Sequence, residues 1–377
     1  MHGAPGLLRF ARSDGARAGL EYAEVVMSVT FRAAVLHELN RPLSIETVEA
    51  PPLAAGQLLV KLAYSGVCHS QVMEARGGRG PDRYLPHMLG HEGSGVVVEI
   101  GGGVTKVKRG DRVILGWIKG QGADTQGVRY ASGERVINAG AVTTFNEYAV
   151  VAENRVTPLP AGLPMDVAVL FGCALPVGAG IVINIAKPQP GATLAIFGLG
   201  GIGLAALMAC KLFACNQVIA VDVEAAKLKM ATELGATTVI DASRIDPVEE
   251  IRRLTGGLGV DYAIESAGLT RVIEQAFDAT RRFGGLCVFA SHPRSGEKIA
   301  LDPFELICGK RILGTWGGDS KPERDIELLA GLYRDGKLPL DAMFTRRYKL
   351  DEINEALDDL EHRRSVRPLI EIDPSLR

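Results

Sequence analysis

Between Ala192 and Thr315 the chain carries six short apolar runs: Thr193–Phe197, Val218–Val221, Thr238–Ile240, Val260–Glu265, Leu286–Ala290 and Arg311–Thr315. Stretches with helical spacing separate most of them, at Leu204–Phe213, Ala225–Leu234, Pro247–Leu254 and Thr270–Thr280. A helix between successive strands demands a crossover, and crossovers leave the strands parallel. The rhythm therefore predicts an α/β unit with a doubly wound parallel sheet of about six strands.

Directly behind the first run stands Gly198-Leu199-Gly200-Gly201-Ile202-Gly203, which opens the first helix near Gly201. In this G-x-G-x-x-G turn the first glycine permits the tight bend and the second lets backbone approach a pyrophosphate. The third lets helix and strand pack closely, and the helix N-terminus faces the negative charge. The second run ends at Asp222, 19 residues past Gly203. A carboxylate there accepts both ribose hydroxyls and repels a 2′-phosphate, so the reading is dinucleotide binding with NAD(H) favoured over NADP(H).

Residues 28 to 150 read differently, with period-2 strand patterns at Gln57–Tyr64, Gly95–Ile100 and Arg112–Leu115 broken by glycine-rich turns. They predict an irregular β-rich domain. The tail carries helical patterns at Arg324–Tyr333 and Leu350–Glu361 and a closing strand at Pro368–Ile372. Residues 1–26 mix Arg9, Arg12 and Arg17 with Asp14, Glu21 and Glu24 and lack the apolar core of an export signal. They are expected to be a disordered extension, with the first strand starting after Met27. Val167–Ala186 is uncharged and long enough to span a bilayer, but Pro176 among Gly172, Gly178 and Gly180 favours two short buried helical pieces meeting at a bend. No membrane span is expected.

Composition narrows the function classes. The 377 residues are 47% apolar, enough to fill two domains, and 42 Lys and Arg against 44 Asp and Glu leave no basic excess for nucleic acid. Six cysteines, Cys68, Cys173, Cys210, Cys215, Cys287 and Cys308, are too sparse for a disulfide framework, which points to a reducing, cytoplasmic setting. Taken singly, Cys68, His91 and Cys173 have dull readings as core or hydrogen-bonded residues. Cys68 and Cys173 lie 105 residues apart, so spacing does not assemble them.

The separated motifs nevertheless agree with a known pattern. Gly90-His91-Glu92, Gly95, Gly101 and Val104, preceded by Cys68 and followed by Cys173, the glycine turn, Asp222 and Ser365-Val366-Arg367, resemble the medium-chain zinc-dependent alcohol dehydrogenase family from Met27 to the C-terminus. The resemblance implies a GroES-like β-rich catalytic domain (27–176 and 318–377) and a Rossmann doubly wound parallel sheet (177–317). It implies that Cys68, His91 and Cys173 hold one catalytic zinc with an open fourth position, with Glu92 beneath. Ser70 would take the proton of an alcohol whose hydride passes to NAD, or the reverse with an aldehyde or ketone. Gly198, Gly200, Gly201, Gly203 and Asp222 would hold the cofactor, with His69 and Arg367 at its pyrophosphate and Lys227 at the adenosine ribose. Trp117 and Phe145 would line the pocket for a small alcohol or carbonyl substrate, and the assembly would be a homodimer or homotetramer.

Four departures from the family carry expectations of their own. Met73 stands where many relatives pass the proton on through a histidine, which predicts a proton transfer more sensitive to external buffer. Gln71 replaces an aspartate, and its amide is expected to accept the His91 ring N–H. Val177 removes a hydroxyl at the nicotinamide edge. No cysteine lies from His69 to Gly172, so a second, structural zinc is expected to be absent and Gly116–Ala141 to form an unstapled, mobile lobe. The competing readings are a zinc-free quinone or enone reductase of the same superfamily and a noncatalytic nucleotide-binding protein.

Overall fold

A computed structural model describes residues 29–376; the expected extension at 1–26 lies outside them. The six apolar runs are strands β1 (Thr193–Phe197), β2 (Gln217–Asp222), β3 (Thr238–Asp241), β4 (Tyr262–Glu265), β5 (Leu286–Phe289) and β6 (Arg311–Gly314). All pair in parallel in the order β3-β2-β1-β4-β5-β6. The order reverses between β1 and β4, so their carboxyl ends diverge into the crevice where such sheets take ligands. Helix Gly201–Cys210 is apolar almost all round and buried throughout except for Ile202, because it lies between the sheet and the helix Ala174–Gly180. Helix Pro247–Leu254 shows local logic at its start: Asp246 accepts the N–H groups of Val248 and Glu249, and Pro247 occupies a position that needs no donor.

The other half contains a closed barrel of five short strands (Thr30–Leu36, Ser44–Glu49, Arg129–Ser132, Arg135–Asn138 and His87–Met88) and a seven-stranded sheet. The long strand Gln57–Gly66 is the hub of that sheet, pairing with Glu92–Ile100, Tyr148–Ala152 and the tail strand Pro368–Glu371. Leu369 sits opposite Gly66, which delivers Arg367 beside the exit of the hub strand towards Cys68. Tail helix Pro322–Arg334 sends Ile326, Leu329 and Ala330 into the same core as the helix Gly201–Cys210.

The uncharged run does fold as two helical pieces, Met165–Gly172 and Ala174–Ala186, bent by 56°, and among the described residues no single helix is long and apolar enough to cross a membrane. The bend falls at Cys173, whose φ of −151° and ψ of −79° break the helix. Pro176 lies in the first turn after the break, where its missing N–H costs nothing.

One expectation needs correction: the lobe after Gly116 is not unstapled. Two of its segments form barrel strands, and the Glu153 carboxylate accepts N–H groups of Thr105, Lys106 and Ala123 at 2.6, 2.7 and 2.8 Å. Glu323 accepts the Gln121 N–H at 2.6 Å and the Lys106 ammonium at 2.7 Å. Burial pushes the Glu153 carboxyl up, but these backbone donors outweigh it and hold it below its ordinary value. Carboxylates thus tie the lobe, a device that cysteine counting does not see.

Candidate functional site

Three chain segments meet at one point. Cys68 follows the hub strand at the start of helix His69–Ala75, His91 precedes strand Glu92–Ile100, and Cys173 occupies the helix bend. Their donor atoms all lie within 4.8 Å of one another, with His91 Nε2 at 3.2 Å from Cys173 Sγ. The bend at Cys173 is what turns its thiol towards the other two. The Cys173 S–H, directed at Cys68, holds the Cys68 thiol well below its ordinary value against the cost of burial, and Arg367 and His91 assist. The same contact and burial push Cys173 up. Two sulfurs, one imidazole and a favoured thiolate are a donor set that suits zinc and leaves a fourth tetrahedral position.

Beneath the cluster, Glu92 is fully buried and accepts a hydrogen bond from Arg367 Nη2, itself buried. Burial pushes the Glu92 carboxyl up and Arg367 pulls it back, while Glu92 raises the guanidinium further. Glu92 Oε2 and Arg367 Nε have no hydrogen-bond partner. Arg367 Nη1 lies 3.1 Å from where a Cβ on Gly201 would stand, so one side chain reaches from the floor of the cluster to the glycine turn.

That turn behaves as its spacing requires. Gly198 has φ of +87°, and a methyl added to Gly203 would collide with the Gly198 carbonyl. Gly200 has nothing within 4 Å of its missing Cβ, an open approach for a phosphate at the helix start. Asp222 Oδ2 accepts the Leu199 N–H at 2.6 Å, and Oδ1 accepts those of Val223 and Glu224 at 2.8 and 3.0 Å. The carboxylate is therefore fixed by backbone beside the turn.

Around the cluster, Ser70 Oγ lies 3.4 Å from His91 Nδ1. Burial lowers the His69 pKa, with Cys68 and Glu361 pulling it up and Lys227 and Arg363 pushing it further down. Met73 packs under the loop at Gly78. Gln71 differs from expectation: its Oε1 already accepts the Cys68 backbone N–H at 2.9 Å, so its Nε2 faces His91 Nδ1. In this orientation the amide presents its N–H group to the ring where acceptance was expected. Phe145 lies close by in the core. It is fully buried in one cluster with Leu36, Val67 and Leu89, the last two just before Cys68 and His91 in the chain. Trp117 is half-buried and meets Trp316 edge-on.

Three residues escaped the sequence reading. Trp316 is one. Arg363 adopts φ of +60° and pairs with Glu224 at 3.1 Å, two residues from Asp222. Glu265, at the carboxyl end of β4, accepts the N–H groups of Ala267 and Gly268 at 2.8 and 2.7 Å, and burial pushes its carboxyl up to about 7. Its place at a strand's carboxyl end beside the switch point was the available signal.

Comparison with known proteins agrees with this geometry. Residues 54–161 match the alcohol dehydrogenase GroES-like domain and residues 201–331 the zinc-binding dehydrogenase family. The chain is 32% identical over 365 residues to an S-(hydroxymethyl)glutathione dehydrogenase of Synechocystis sp., covering 90% of this chain and 99% of that one. The crystal structure of an alcohol dehydrogenase zinc-binding domain protein from Burkholderia ambifaria superposes with a TM-score of 0.84 at 31% identity, over 92% of this chain and 100% of that one. Benzyl alcohol dehydrogenase from Acinetobacter calcoaceticus gives 0.83 at 29% identity, over 91% and 99%. With a three-donor cluster that fits a catalytic zinc and a dinucleotide turn tied to it through Arg367, the chain belongs to the medium-chain zinc-dependent alcohol dehydrogenase family.

Proposed function

We propose that the protein transfers hydride between a small alcohol, or the matching aldehyde or ketone, and NAD(H). The observation that carries this reading is Arg367, which joins Glu92 beneath the Cys68–His91–Cys173 cluster to Gly201 in the dinucleotide turn. When bound there, zinc supplies Lewis acidity at an alcohol oxygen and NAD supplies the hydride acceptor. The chain's own residues do the remaining work. Cys68, His91 and Cys173 hold the metal, and Ser70 Oγ, beside His91, receives the alcohol proton. Met73 has no group that can carry that proton further, so it leaves Ser70 for solvent. Gly200 and the helix start receive the pyrophosphate, and Asp222 accepts the adenosine ribose hydroxyls. A 2′-phosphate in that place would meet the same carboxylate, which supports NAD over NADP.

The test is zinc content together with NADH and NADPH formation, measured in parallel for ethanol, benzyl alcohol and S-(hydroxymethyl)glutathione. About one zinc per chain with NAD-linked turnover is expected. A zinc-free chain that is still active returns the reading to a quinone or enone reductase. Asp222→Ala should reduce the preference for NAD over NADP roughly 10- to 100-fold, and an unchanged preference removes its assigned role.

We also propose a homo-oligomer in a reducing cytoplasmic setting. β6 is one edge of the parallel sheet, and Leu313 on it and Phe304 and Ile307 beside it are exposed, a pattern a second copy would cover. Light scattering of the purified chain distinguishes a dimer or tetramer from a monomer.

A further inference from the structure

Trp316 is the most exposed large apolar side chain in the described structure, at 84% of its surface. Its neighbour is the other tryptophan of the chain. The rings of Trp117 and Trp316 meet edge to face, with centroids 5.0 Å apart and planes at 82°. They come from opposite halves of the molecule. Trp316 leaves the sheet just beyond the carboxyl end of β6, after Thr315 has donated its N–H to Phe289 O at 3.0 Å. That is the side on which a doubly wound sheet receives ligands. Trp117 follows Gly116, the partner of Glu92 in the antiparallel register. One step further along both chains stand Trp117 and His91.

The pair is also bound to the third metal-binding segment. Gly318 lies against the backbone carbonyls of Pro176 and Val177, one turn past Cys173, and Gly317 lies 3.5 Å from the Trp117 ring, measured from its missing Cβ. Gly116 packs on Gly172, the residue before Cys173. The two indoles therefore stand at the edge of the donor cluster, between the halves that would hold metal and cofactor. Whichever ring presents its edge, Trp316 keeps at least one ring face outside the pair, and its side chain is largely in water. A flat apolar group can stack there, adding aromatic contact to the removal of indole surface from water.

We propose that Trp117 and Trp316 form an aromatic clamp at the mouth of the site that selects alcohols carrying a flat ring next to the carbinol carbon, benzylic in class. The inference rests on the alcohol dehydrogenase reading above and names the substrate class for that site. Trp316 acts on specificity and takes no part in the chemistry.

The experiment uses the zinc-loaded full-length chain with ethanol and benzyl alcohol. Trp316→Ala should lower kcat/KM for benzyl alcohol about tenfold, mainly through KM, and change that for ethanol less than about twofold; Trp316→Phe should restore most of the loss. An equal effect on both alcohols overturns the clamp. Binding is read independently of turnover, because the chain contains 2 tryptophans and both belong to the pair. Benzyl alcohol should shift their emission to shorter wavelength in a saturable way, and ethanol should not. Turnover of benzyl alcohol without an emission shift overturns the clamp and leaves the activity intact. A saturable shift without turnover of any alcohol overturns the activity and supports the clamp. A shift produced by raising the protein concentration alone assigns Trp316 to a subunit contact and overturns the proposal.

Discussion

The cofactor cradle and the metal cluster are built by opposite means. Gly198, Gly200, Gly203 and Asp222 belong to one strand–turn–helix–strand unit, and what they offer is mostly backbone: an open approach at Gly200 and an Asp222 carboxylate held by three N–H groups. Cys68, His91 and Cys173 come from three distant segments, and what they offer is entirely side chain. Arg367, from the tail, reaches both. A backbone device fails when a side chain is added, whereas a side-chain device fails when one is removed.

The largest effects should separate along that line. Cys173→Ala removes a donor from the bend and should cost about a thousandfold or more in kcat/KM with loss of bound zinc, while NADH binding persists. Zinc retained at full occupancy would show that the cluster does not depend on the Cys173 thiol. Gly203→Ala does the reverse. Its methyl would collide with the Gly198 carbonyl, a backbone atom that cannot step aside, so the cost should be about 3 kcal/mol or more in denaturant unfolding, with NADH binding lost. A stable variant that still binds NADH would break the comparison from the other side.

Glu265 gives a pH test confined to the cradle half. Burial pushes its carboxyl up to about 7, against the N–H groups of Gly268, Ala267 and Leu269, and its Oε2 has no partner. Between the ordinary carboxylate range and pH 7 the folded chain then binds more protons than the unfolded one, so stability is fullest at low pH and falls as pH rises. The loss should be on the order of 3 kcal/mol between pH 5 and pH 8, and Glu265→Gln should flatten it. A slope that survives the substitution would assign the pH dependence to other groups.

The same contrast explains what could be read from residues alone. The six strands and the Gly198–Gly203 turn are local: apolar runs, helical spacing and glycine positions all act within a few residues of one another. The metal cluster was legible only through resemblance, since 105 residues separate Cys68 from Cys173 and no spacing rule spans them. The misses are contacts between distant segments. The lobe after Gly116 looked untied because its ties are Glu153 and Glu323, common residues whose partners are backbone N–H groups elsewhere.

Gln71 offers a smaller effect, and it lies where the side-chain device is least settled. Its Oε1 accepts the Cys68 N–H and its Nε2 faces His91 Nδ1, so the ring nitrogen next to the amide is an acceptor. The other nitrogen, Nε2, points at Cys173 and must lose any proton before it can ligate zinc, after which the proton belongs on Nδ1. To accept that proton the amide must turn, and turning gives up the Cys68 N–H. A carboxylate of the same length has no such choice, because both of its oxygens accept. Gln71→Glu should therefore tighten zinc about tenfold in competition with a chelator, without requiring any change in the dinucleotide turn. Unchanged zinc affinity would mean that the amide already turns at no cost, and that the metal half tolerates its support as loosely as the cradle half tolerates its surface side chains.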